Sequence, residues 1–132
     1  MKNKFVIGGI ILVSAIAVTA ITYFTIKKIT KKDLSKGNFL FIGDSTTANS
    51  SGYVEKIQAK FPDAKIKKIA KVGEKTDWML NELKKELANG VKYDLISFLG
   101  GSNDNFATLR IDKAESNLDE MYALAKKNGA LV

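Results

Sequence analysis

The sequence has no cysteine and no histidine, and a single proline among 132 residues. Without thiols there is no disulfide framework and no thiolate metal site. With histidine missing as well, a zinc centre of the usual kind is excluded, and only oxygen-ligand sites remain. The same absence removes the side chain that most often serves as general base. We assign no metal and no cofactor. An excess of positive charge is also missing where nucleic acid would need it. The net charge is +7, but the first 36 residues hold seven lysines against Asp33 alone. The rest of the chain carries fourteen basic and thirteen acidic side chains. A polyanion-binding domain needs a basic excess on its folded part, so no nucleic-acid partner is expected.

What is present begins with a long apolar run. Phe5 to Ile26 is 22 residues without a charge, flanked by Lys2 and Lys4 before it and by Lys27, Lys28, Lys31 and Lys32 after it. At 1.5 Å per residue a helix of that length spans the ~30 Å hydrocarbon core of a bilayer. The spacing therefore predicts a transmembrane helix over about 5–26, a membrane anchor and basic linker over 1–36, and a lipid bilayer as partner. Ala15-Ile16-Ala17 and Val18-Thr19-Ala20 have the small-residue pattern of a signal-peptidase site, but cleavage there leaves an apolar stub, so an uncleaved anchor is expected. Gly8 and Gly9 lack the GxxxG spacing of a helix-dimer face, and no oligomeric state is assigned. The lysine balance of the flanks points to the cytoplasm, while Lys2, Lys4 and the free amine weigh the other way.

The remainder, 37–132, reads as one α/β domain. Phe39-Leu40-Phe41-Ile42 is too short for a helix and runs apolar into Gly43-Asp44-Ser45, the pattern of a buried parallel strand. Thr46 to Gly52 reads as a loop. A helix follows with Val54, Ile57 and Phe61 on one face, closed by Pro62. Ala64 to Ala70 reads as a second strand whose lysines suit an exposed sheet edge. Val72 to Lys75 turns into a helix with Thr76 or Asp77 as N-cap and Met79, Leu80, Leu83 and Leu87 as its stripe. Asp94 to Leu99 is a third strand ending in Gly100-Gly101-Ser102-Asn103-Asp104. A last helix carries Ile111, Ala114, Leu118, Met121 and Ala125, and Ala130 to Val132 looks like a fourth strand beginning. This alternation is the signature of a doubly wound parallel sheet.

Such sheets place their chemistry outside the carboxyl ends of the strands. Strands one and three are expected to be neighbours, which brings Ser45 and Asn103 onto one rim. An acyl-transfer site needs a nucleophile and donors aimed at the developing oxyanion. Backbone N–H groups near Ser45 and Gly73, with the Asn103 amide, meet that description. Asp44 and Asp104 read as loop-shaping residues and Trp78 as packing.

At these residues the sequence resembles the SGNH, or GDSL-type, hydrolase family. Gly43-Asp44-Ser45 is similar to its first block, Gly73 falls at the glycine of its second, and Gly101-Ser102-Asn103-Asp104 matches the Gly-x-Asn-Asp of its third. The resemblance implies a three-layer, flavodoxin-like fold and a serine esterase or acyl hydrolase. It makes Ser45 the nucleophile and Ser45, Gly73 and Asn103 the oxyanion hole, with Gly43, Asp44, Gly101 and Asp104 supporting them. The implied substrate is a small-molecule, lipid or glycan ester, and family analogy favours the extracytoplasmic side. Thr46 stands where leucine is commonest. The family's fourth block, Asp-x-x-His, supplies the base and its orienting acid and has no counterpart here. The expectation is therefore an SGNH domain incomplete at its C-terminus and inactive alone. The alternative, from a different class, is a membrane-anchored binding or structural domain without catalysis.

Overall fold

Residues 34–104 and 111–132 are described by a computed structural model. The anchor helix expected over 5–26 lies outside the described residues. Among those described, no helix is long and apolar enough to cross a membrane.

Three parallel strands form the sheet: β1 (Asn38–Gly43), β2 (Lys65–Ala70) and β3 (Leu95–Leu99), in the order β2-β1-β3. Phe39 pairs with Ile66 on one side and with Leu95 on the other, so β1 is central. It is buried along its length after Asn38 because both faces are covered. Strand alternation then sorts its side chains. Phe39 and Phe41 pack with Val54 and Ala64 on one face, while Leu40 and Ile42 pack with Met79, Leu83, Ile96 and Met121 on the other.

The helices whose full extent lies among the described residues are, in chain order, α1 (Ser45–Ala48), α2 (Tyr53–Lys60), α3 (Thr76–Ala88) and α4 (Ile111–Asn128). Val54 of α2 belongs to the first face, and the apolar stripes of α3 and α4 to the second. Helices thus cover both faces of the parallel sheet, the doubly wound arrangement read from the sequence. Leu131 makes an isolated parallel bridge to Leu95, where the fourth strand was expected to begin. Beside it, Leu99 and Val132 keep nearly half of their surface exposed.

Three local readings are corrected. Thr46 to Ala48 is helical rather than loop, because the Asp44 carboxylate accepts the Thr46 N–H and caps a single turn. Neither Thr76 nor Asp77 is the N-cap of α3: that position is Lys75, with no side-chain capping bond. On α4, Ile111 is exposed and the buried stripe runs Ala114, Asn117, Met121, Ala125. The lysines of β2 do lie on an edge strand, and two of them reach helices on opposite faces. Lys67 pairs with Glu86 of α3, and Lys68 with Glu55 of α2.

Candidate functional site

Every site residue named from the sequence falls at the carboxyl ends of the strands, on the loops there or, for Ser45, Asn103 and Asp104, in the helical turns that follow them. Gly43 ends β1 where α1 and β3 close in. A Cβ built there would stand 2.0 Å from Thr47 Oγ1 and 2.7 Å from the Leu99 carbonyl, so only glycine fits. Asp44 follows, 3% exposed. One of its oxygens accepts the Thr46 N–H at 3.0 Å, and the other accepts the Ser102 hydroxyl at 3.2 Å. It joins the first loop to the third. Ser45, the first residue of α1, is exposed.

The second loop leaves β2 with the Lys71 N–H bonded to the Gly43 carbonyl at 3.2 Å. Gly73 turns it at φ 79°, a left-handed conformation that costs glycine nothing. No atom lies within 4 Å of where its Cβ would be, so the space above that backbone is open.

The third loop is tied directly to the second. Asn103 Nδ2 donates to the Glu74 carbonyl at 2.8 Å, one residue beyond Gly73. An asparagine amide has two N–H donors, and this bond uses one. Asp104, 3% exposed, accepts the Thr76 N–H at 3.0 Å and the Thr76 hydroxyl at 2.8 Å. It caps α3 from 28 residues away, which is why α3 has no local cap. Thr76 Oγ1 in turn accepts from Asn117 Nδ2 at 2.9 Å, and the same amide reaches Asp77 Oδ1 at 2.9 Å. Lys113 closes the chain of contacts on Asp77 Oδ2 at 2.6 Å.

Sequence reasoning missed Thr76 and Asn117 as members of this support. The signal for Asn117 was a polar residue inside an apolar stripe, for which buried amides need partners. Trp78 packs against the larger core cluster, as expected of it. Lysine acts as a base when desolvated, but Lys71 is 65% exposed and paired with Glu74. Among the described residues no acidic cluster forms that could hold a metal ion. The cavity of about 340 Å³ is not at this rim but between the C-terminal halves of α3 and α4.

No family model matches the sequence, and no curated protein does. Solved structures do. TesA superposes with a TM-score of 0.64 at 24% identity, over 70% of this chain and 56% of TesA. The psychrotrophic esterase EstA from Pseudoalteromonas sp., solved inhibited by monoethylphosphonate, gives 0.61 at 20% identity, over 70% of this chain and 55% of its own. AlinE4, an SGNH-hydrolase family esterase, gives 0.60 at 23% identity, over 68% and 53%. The chain has the SGNH-hydrolase fold. It spans little more than half the length of these structures. The SGNH fold accounts for the three rim loops, since the strand order that makes β1 and β3 neighbours is what brings Asp44 against Ser102.

Proposed function

We propose that this chain carries the nucleophile and oxyanion half of a membrane-anchored serine ester hydrolase. The observation that carries the reading is the rim itself. An exposed serine stands at the end of the central strand, and the loops bearing Gly73 and Asn103 are bonded to each other beside it. Ser45 Oγ attacks the ester carbonyl, and the Ser45 and Gly73 N–H groups with the second Asn103 N–H receive the oxyanion. A serine hydroxyl needs an adjacent base for this. That base is a histidine with its orienting acid, supplied from outside these 132 residues. The segment 5–26 holds the domain at a bilayer, and the substrate is a small-molecule, lipid or glycan ester.

The test is labelling of the full 132-residue chain with a fluorophosphonate, with imidazole titrated in to stand for the missing base. We expect a single adduct on Ser45 whose formation accelerates with imidazole and is abolished in Ser45→Ala. An adduct at another residue, or labelling that persists in Ser45→Ala, would sink the reading. The lack of histidine and the ion-paired, exposed Lys71 favour a second reading, an anchored binding or structural domain on the same fold. No labelling at any imidazole concentration would select it.

A further inference from the structure

Helices in this fold run against the strands, so each ends at the strands' amino side, the pole opposite Ser45. The first turns of α2, α3 and α4 carry Glu55, Asp77 and Asp112, and their last turns carry Lys60, Lys85 and the pair Lys126 and Lys127. Each helix on its own merely complements its dipole. Because all three point the same way, the lysines collect at one pole of a domain whose total charge is almost balanced. Lys36, in the 3-10 turn Leu34–Lys36 that leads into β1, and Lys92, ahead of β3, join them.

A groove lies at this pole. The 340 Å³ cavity has Leu87, Ala88 and Leu124 as apolar lining and Lys84, Lys92 and Lys127 around them. Lys84 and Lys85 are paired with Glu120 and Glu82. Lys36, Lys60, Lys92 and Lys127 are exposed and have no ion-pair partner among the described residues. Asn38 donates its N–H to Asp94 at 2.7 Å and its amide to the Lys92 carbonyl at 2.9 Å. The first strand therefore begins beside the groove, twelve positions after the uncharged run ends at Ile26.

We propose that this pole is a docking surface for anionic phospholipid headgroups at a bilayer. Lys92 and Lys127 hold a headgroup phosphate while the apolar lining takes the glyceryl and first acyl carbons. The charge complementarity and the short tether select this occupant, and the proposal rests on the anchoring part of the function above.

The experiment reconstitutes the full chain into phosphatidylcholine vesicles, with and without phosphatidylglycerol, and follows flotation and lysine acetylation by mass spectrometry. With phosphatidylglycerol present, acetylation of Lys36, Lys92 and Lys127 is expected to slow about fivefold, and high salt restores it. Lys71 and Lys75, at the opposite rim, keep their rates. Unchanged rates at the pole, or equal slowing at Lys71 and Lys75, overturns the proposal, and flotation with both vesicle types then still upholds the anchor. Flotation only with anionic vesicles rejects the anchor, and with it the proposal that rests on it. Flotation with neither rejects both. In Lys92→Gln/Lys127→Gln the slowing at Lys36 is expected to fall by at least half, and its full retention overturns the groove as the headgroup site.

Discussion

The two faces of the sheet hold different parts of the candidate site by different means. On the face covered by α2, an aromatic core does the holding. Phe41 meets Tyr53 edge-on at 5.8 Å between ring centroids, and the Tyr53 hydroxyl bonds Thr47 of α1 at 3.1 Å. This face steadies the turn that carries Ser45. On the face covered by α3 and α4, buried polar groups do the holding. Asp104, Thr76 and Asn117 fasten the loops of Gly73 and Asn103, and deeper in, Glu86 accepts from both Lys67 and Tyr93. Aromatic packing adds to the Asp44 cap in positioning the candidate nucleophile, whereas hydrogen bonds alone fasten the loops of Gly73 and Asn103. The two halves can therefore be disturbed one at a time.

The largest effect is expected on the aromatic face. Phe41→Ala should cost about 3–5 kcal/mol in denaturant unfolding, from lost transfer energy and a cavity. It should speed amide exchange in α1 more than at Thr76. Exchange that rises equally at both would erase the distinction between the faces. Next comes Asp104→Ala, which leaves the buried Thr76 N–H and hydroxyl without their acceptor and should cost about 2–3 kcal/mol. Here exchange should quicken at Glu74 and Thr76 and stay slow in α1.

The polar face should respond to both acid and alkali, whereas the α2 face responds to acid alone, through Glu55, whose carboxyl the Lys68 ammonium holds below its ordinary 4.5. The Lys67 ammonium first, then the Tyr93 hydroxyl, holds the Glu86 carboxyl below its ordinary 4.5, against an opposing burial effect. A depressed carboxyl stabilises the fold above that value and loses its contribution as pH falls below it. Burial, and then the bond to Glu86, raises the Tyr93 hydroxyl above its ordinary 10.0. Its contribution is complete below pH 10 and is lost as pH climbs beyond it. Tyr93→Phe should flatten the alkaline limb of a stability–pH curve and blunt the acid one, at a cost of about 1–2 kcal/mol near neutrality. An unchanged alkaline limb would remove Tyr93 from the account. The smallest effect is expected from Tyr53→Phe, about 0.5–1.5 kcal/mol for one hydrogen bond. It should be confined to α1.

The aromatic half was more legible in the sequence than the polar half. Phe39 to Ile42 is an unbroken apolar run, and its strand, its central burial and the rim position of Ser45 all follow from it. The four-residue α1 is too short to show any period, although an aspartate before Ser-Thr-Thr was an available capping signal. The α3 cap was read among neighbours in the chain, whereas Asp104 supplies it through space. Helical spacing placed Leu118 against the core correctly but also chose Ile111, which is exposed, and passed over Asn117, whose partners sit on α3 and turn its amide inward. Local patterns carry the apolar faces well and carry polar contacts between distant segments hardly at all.

The length of β1 has one more consequence. Its six residues place Gly43 about 17 Å along the strand axis from Asn38. The strand is thus a rigid spacer between the lysine-bearing end of the domain and the rim of Ser45. Under the proposed docking and the proposed esterase activity, esters buried in the same leaflet would lie out of reach of the serine hydroxyl. Under the same two proposals, esters that approach from the aqueous side would lie within it.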